Sequence, residues 1–242
     1  VTDINALVAK ALKYKDNPYI DKQLGFQKRI GLLFLNSCAI SVPIVDKPIV
    51  FKQKRLKLTQ DYLENRYGMS QDNILIKPQM IVVHWTAIPT LEKSFEAFYN
   101  ESLPNWRPEL VNQSALNVSA QFLVDQDGTI YRLMPENHMA RHVIGLNHAA
   151  IGIENVGGTK ETPLTKAQLK SNIKLIKYLK TKHSINYLIG HYEYTLFENH
   201  SLWKEVDSGY RTEKTDPGIA FMAKIRRATS KLKFKANPSL IP

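Results

Sequence analysis

Two histidines and one aspartate, far apart in the chain, form its most telling donor set: His84, His191 and Asp216. Two imidazoles and a carboxylate are what a catalytic zinc ion takes from a protein, with a fourth position left for water. Each residue sits where a rigid ligand is expected. His84 closes the apolar run Met80-Ile81-Val82-Val83, and His191 follows Tyr187-Leu188-Ile189-Gly190. Asp216 lies in Thr215-Asp216-Pro217-Gly218, where proline and glycine restrict the local backbone. One zinc ion held by these three groups would acidify its bound water toward neutrality. Amide hydrolysis then needs a proton carrier and a donor for the developing oxyanion. Glu154, in Ile151-Gly152-Ile153-Glu154, is the proton carrier by this reading, because a carboxylate in a dry strand has a raised pKa. Lys214, two residues before Asp216, faces the same way as Asp216 in extended backbone and is the candidate oxyanion partner. A single strand-end histidine is more often structural than a ligand, and Lys-x-Asp is common; the joint order of these residues gives them weight.

These groups need elements to hold them. From residue 78 onward, short apolar runs alternate with helical periods. Strands are expected at 80–84, 119–124, 129–133, 150–156 and 187–190, and helices at 92–100, 166–182 and from 217 to about 232. Asp127-Gly128 between two strand-like runs signals a hairpin. Thr165 with Gln168 reads as a capping box, and Leu164 with Leu169 as a hydrophobic staple. Pro217 suits a first helical turn, and a long polar loop spans 193–213. The fold class is therefore α/β, with a central mixed β-sheet flanked by helices. Residues 1–77 read as a mainly helical N-terminal extension that packs on, or shapes the cleft of, a catalytic domain at 78–235; residues 236–242 are a tail. Within the extension, 42–48 reads as a connector and 59–66 as a short helix stopped at Tyr67-Gly68.

Composition narrows the partner. Of 242 residues, 43% are apolar, enough for a real core, and 33 Lys and Arg against 22 Asp and Glu give +11. That balance favours an anionic partner. Along the sequence the excess looks spread out, +5 in residues 1–75 and +6 beyond, with no compact basic block. Basic residues are not interleaved with aromatics in a base-stacking pattern, so no nucleic-acid partner is expected. Cys38 is the single cysteine, which rules out an intrachain disulfide. Its setting after Lys28-Arg29 and a short apolar run resembles an acylation signal faintly, a buried segment more strongly. The longest apolar run is too short to span a bilayer. The chain begins at Val1 without methionine, which leans the reading toward an exported protein of the cell envelope or periplasm; a cytoplasmic role remains the alternative.

A resemblance now becomes specific. Val82-Val83-His84-Trp85-Thr86-Ala87, the hairpin Asp127-Gly128-Thr129-Ile130-Tyr131, Ala140-Arg141-His142, Ile151-Gly152-Ile153-Glu154, Ile189-Gly190-His191 and Lys214-Thr215-Asp216-Pro217-Gly218 resemble the type 2 family of zinc-dependent N-acetylmuramoyl-L-alanine amidases. That family shares its fold with the peptidoglycan recognition proteins. The resemblance implies cleavage of the amide between N-acetylmuramic acid and L-alanine in peptidoglycan or muropeptide fragments. It implies one zinc ion on His84, His191 and Asp216, acid/base work by Glu154 and oxyanion support by Lys214. His142, Asn147 and Trp85 would contact substrate, with zinc ligation by His142 a minor alternative. Members often carry Ser-Ala-His before the hairpin; this chain has Ser119-Ala120-Gln121, which leaves the ligand set intact. The competing reading is a non-catalytic muropeptide-binding module of the same fold. Against it, the chain keeps all three ligands together with Glu154 and Lys214.

Overall fold

The computed structural model describes residues 42–104, 110 and 112–238. The helical readings within 1–41, and Cys38, lie outside them. A six-stranded sheet forms the centre, in the order β1-β4-β3-β5-β2-β6. Its strands are β1 (Ile44–Asp46), β2 (Met80–Val83), β3 (Phe122–Val124), β4 (Ile130–Arg132), β5 (Ala150–Asn155) and β6 (Tyr187–Gly190). All neighbours run parallel except β3 and β4, which form the expected hairpin around Gly128 at φ 90°. The sheet is mixed, as the sequence predicts.

Strands β2, β5 and β6 are buried along their whole length, which explains why they read as unbroken apolar runs rather than alternations. Their side chains still alternate between two faces. On one face Ile81, Val83, Ile151, Ile153 and Leu188 pack against two helices. On the other, Met80, Val82, Ala150 and Ile189 pack under Val143, Ile144 and Leu146 and under Tyr194 and Phe197 of a 3-10 helix at His191–Phe197.

The described residues include four longer helices: α1 (Gln53–Tyr67), α2 (Leu91–Tyr99), α3 (Lys166–Lys182) and α4 (Ile219–Thr229). Helix α3 matches its expected bounds and carries the capping box of Thr165 and Gln168. The Gln168 amide also donates to the carbonyls of Val124 and Val156, tying the helix start to two strand ends. Leu175, Ile176 and Leu179 of α3 and Met222 and Ile225 of α4 fill the helical side of the core.

Three local expectations need correction. Helix α1 begins six residues before 59, because Glu101 Oε1 accepts from the backbone N–H groups of Lys52 and Arg55 at 2.9 and 3.2 Å. That cap arrives from 46–49 residues away and leaves no local signature. The segment taken as a connector contains β1, whose register against β4 is Ile44 to Ile130. Both β1 and α1 lie N-terminal to residue 78, where the sequence reading begins the catalytic domain. Finally, Pro217 is not in the first turn of α4. Gly218, at φ 86°, is the N-cap, and the helix starts at Ile219.

Candidate active site

Parallel register builds the site. Val83 pairs with Gly190 and with Ile153, and the His84 N–H donates to the Ile153 carbonyl at 2.8 Å. The next residues along the three strands are therefore His84, His191 and Glu154, side by side at their C-terminal ends. They belong to the same face of the sheet as Val82 and Ile189. Ligand sites in open parallel sheets lie at this end. Asp216 joins them from the segment before α4, whose position is fixed by a bond from the Tyr192 N–H to the Asp216 carbonyl at 3.1 Å.

His84 Nδ1 and His191 Nδ1 stand 3.2 and 3.0 Å from Asp216 Oδ2. The ligand atoms of the three residues all fall within 4.8 Å of one another. Ligands around 2.0–2.1 Å from a tetrahedral zinc sit about 3.3 Å from each other, so this triangle has the dimensions of a metal-binding face. The electrostatics agree. Burial pushes His191 down to about 4, keeping its imidazole neutral and free to ligate. For Asp216 burial alone would raise the pKa, but the hydrogen bonds and charges of His191 and His84 outweigh it and hold the carboxyl well below the usual range.

Behind the triangle runs a chain of hydrogen bonds that orients it. His84 Nε2 lies 3.0 Å from His142 Nδ1, and His142 Nε2 lies 3.4 Å from the Ala150 carbonyl. If His142 donates from Nε2 to that carbonyl, its Nδ1 accepts from His84 Nε2–H, and His84 Nδ1 is left with a lone pair toward Asp216. Burial, and after it the neighbouring imidazoles, keep His142 well below its usual pKa and so neutral. The His142 ring lies on Gly152, where a Cβ would come within 2.9 Å of it. Asn147 Oδ1 accepts from the N–H groups of His142 and Val143, both at 2.8 Å, and its amide nitrogen donates to Tyr67 Oη at 2.9 Å. The relay thus runs from α1 through Tyr67, Asn147 and His142 to His84.

His142, Asn147 and Trp85 all line the cleft. Asn147 is 1% exposed and its side-chain polar atoms are engaged within the protein. His142 is likewise enclosed and supports His84. Trp85 packs close to Gly158 and Gly218, where a Cβ would meet its ring at 2.4 and 3.5 Å. Asn155, the neighbour of Glu154, points away from the cleft. Its amide donates to the His84 carbonyl and its oxygen accepts from Asn172 of α3. Gln121, at the departure from Ser-Ala-His, accepts from the Gly152 N–H at 2.7 Å and so extends the sheet beneath His142.

Glu154 and Lys214 line the same cleft as the triangle. The cleft encloses about 240 Å³, and Tyr62 of α1 forms part of its wall. Glu154 is pushed up to about 7, chiefly by burial, with the Asp216 charge adding to it and the His84 and Lys214 charges opposing. Its Oε2 is buried with no hydrogen-bond partner among the described residues. A carboxylate in that state exchanges a proton near neutral pH. Arg141 was seen in sequence only as part of a motif. It is 3% exposed and donates to the carbonyls of Leu110, Ser114 and Leu116, pinning one rim of the cleft.

The family profile described as N-acetylmuramoyl-L-alanine amidase matches residues 75–219, well over half of the chain. The chain belongs to this family. Peptidoglycan recognition protein 3 of Mus musculus is 36% identical over 83 residues, 33% of this chain and 24% of that protein, so the chain spans about a quarter of that relative's length. Among solved structures, the N-acetylmuramoyl-L-alanine amidase LysC from Clostridium intestinale URNW is 23% identical. The alignment covers 81% of this chain and all of that one at a TM-score of 0.48. Human PGRP-IBETAC in complex with glycosamyl muramyl pentapeptide is 20% identical, with 67% and 88% covered and a TM-score of 0.45.

Proposed function

We propose that this amidase hydrolyses the amide between the lactyl group of N-acetylmuramic acid and L-alanine in peptidoglycan or fragments released from it. The observation that carries this reading is the convergence of His84, His191 and Asp216 beside a buried, unpartnered Glu154. The donor set and its spacing fit one zinc ion on His84 Nδ1, His191 Nδ1 and the Asp216 carboxylate. Bound there, zinc supplies Lewis acidity and makes water a competent nucleophile near neutral pH. Glu154 takes the proton of the attacking water and returns it to the departing alanine nitrogen. Lys214, on the cleft wall, faces the substrate oxygen that gains negative charge. His142, Asn147 and Tyr67 keep the His84 ring in one tautomer and one orientation, and Trp85 and Tyr62 bound the space that receives substrate.

We favour the cell envelope or periplasm as the protein's place of action, with cytoplasmic processing of released fragments as the alternative. Among the described residues no helix is long and apolar enough to cross a membrane. Mass spectrometry of purified peptidoglycan after digestion tests the reaction. Stem peptides with a free L-alanine amine, lost on chelation and restored by zinc, are expected. Intact glycopeptide that only co-sediments with the protein would favour the binding-module reading instead.

A further inference from the structure

The charge that looks spread out along the sequence is gathered in space. Residues 166–182 and 219–235, which hold α3, α4 and the short stretch after it, contain twelve of the 33 Lys and Arg and none of the 22 Asp and Glu. The remaining 21 and 22 nearly cancel, so these two segments carry the whole net charge of +11. Both helices cover the sheet face opposite the catalytic cleft, with Leu175, Ile176, Leu179, Met222 and Ile225 turned inward. Lys166, Lys170, Lys174 and Lys177 follow one another at four-, four- and three-residue intervals along α3, and Lys224 and Arg227 of α4 and Lys231 of the 3-10 turn after it do so at three and four. Such spacing stacks side chains on one stripe, about 5–6 Å apart. All seven are exposed except half-buried Lys177.

Cations of this region that do have partners stand apart from the stripes: Lys182 meets Glu136 and Arg226 meets Glu193. The seven stripe residues have no ion pair among the described residues. A helix surface that needs only solvation gains from mixed signs at i and i+4 and loses from like ones. Two adjacent segments, 166–182 and 219–235, with twelve cations and no anion do the reverse. Ten of the twelve are lysine, a mobile point charge suited to diffuse attraction rather than to forked recognition of a single group.

We propose that this face is a docking surface for a linear phosphodiester polyanion bonded to the wall glycan, held while the cleft on the other side of the sheet works on peptidoglycan. The proposal takes from the amidase reading only that the enzyme meets its substrate at the wall. Of the large exposed apolar residues, only Ile219 belongs to the two helices, so the face lacks the apolar wedge of a membrane-surface helix.

The test is co-sedimentation of the full chain, with chelator present to stop hydrolysis, on isolated walls carrying a glycerol-phosphate polymer and on the same walls stripped of it by acid. The wild type should bind intact walls at least tenfold more tightly than stripped ones. Lys166, Lys170, Lys174 and Lys177, all changed to Gln, should remove most of that difference. The same variant should flatten the slope of log affinity against log salt by about 2–3. Its hydrolysis of a soluble muropeptide with zinc should be unchanged, which separates loss of docking from any failure of the amidase reading. A parallel Lys224→Gln, Arg227→Gln, Lys231→Gln variant guards against a fault confined to α3. Equal wild-type binding to intact and stripped walls, or unaltered binding by both variants, would overturn the proposal. So would displacement from intact walls by duplex DNA at lower phosphate concentration than by the free polymer.

Discussion

Glu154 and Glu136 are both buried glutamates, 8% and 7% exposed, yet they sit in opposite electrostatic states. Glu136 lies by a hollow of about 560 Å³, larger than the catalytic cleft. Burial alone would raise its pKa, but hydrogen bonds from His183 at 2.8 Å and Lys182 at 3.1 Å outweigh that and lower it. Tyr178 completes the cluster at 3.2 Å. Every charge there has a partner, and the cluster ties the C-terminal end of α3 to the segment after β4. Glu154 has no such company: one oxygen is unpartnered, and burial lifts it to about 7. A satisfied carboxylate holds structure together, and an unsatisfied one beside a ligand triangle is available for chemistry. Cavity size does not separate the two sites; the state of the carboxylate does.

The largest expected effect comes from breaking the triangle. His191→Ala should leave a folded protein with little bound zinc and hydrolysis reduced by about 10³-fold or more, read by metal analysis beside a product assay. Full activity without metal would remove the triangle from the account.

Next, the two glutamates should respond to pH with opposite signs in zinc-free protein. Between about 4.5 and 7 the native state holds a proton on Glu154 that the unfolded chain has lost, so stability falls as pH rises through that window. Glu154→Gln should therefore gain on the wild type, by up to a few kcal/mol at pH 8. Glu136 contributes stability above its unfolded pKa that is lost as pH falls through its lower folded pKa. Glu136→Gln should cost about 1 kcal/mol at pH 7 and nothing in strong acid. Parallel thermal melts across pH test both; slopes of the same sign would erase the contrast.

Adjacent residues of β5 sharpen the comparison further. Gly152→Ala pushes a Cβ into the His142 ring and, through it, onto His84, and should weaken zinc binding about 10–100-fold. Ile153→Val, turned to the helical face, should cost about 1 kcal/mol of stability and leave zinc affinity alone. A smaller effect is expected at the far end of the relay. Tyr67→Phe removes the acceptor of two hydrogen bonds from Asn147, its backbone N–H at 3.3 Å and its side-chain amide at 2.9 Å, about 1–2 kcal/mol, and should lower zinc affinity more than it disturbs α1. Unchanged affinity, measured by competition with a chromogenic chelator, would confine Tyr67 to packing.

Much of the site is legible in sequence because parallel strands put residues that follow buried apolar runs at one end of the sheet. His84, His191 and Glu154 each follow or end such a run, and Asp216 sits in a recognisable turn. What escapes a linear reading depends on distant partners. The start of α1 is set by Glu101, and the roles of His142 and Asn147 appear only once Tyr67, Gly152 and the Ala150 carbonyl are in place. The basic face was hidden for a different reason: its charges recur at helical intervals in two segments 36 residues apart, and only packing of both helices on one sheet face brings them together.

In the proposed mechanism Glu154 acts on protons while His84, His191 and Asp216 hold the metal. Zinc content and hydrolysis of purified peptidoglycan, measured on the same preparation of Glu154→Gln, test it most directly. One zinc per chain with hydrolysis reduced by about 10²–10⁴-fold is the predicted result; near-normal turnover by that variant would contradict it.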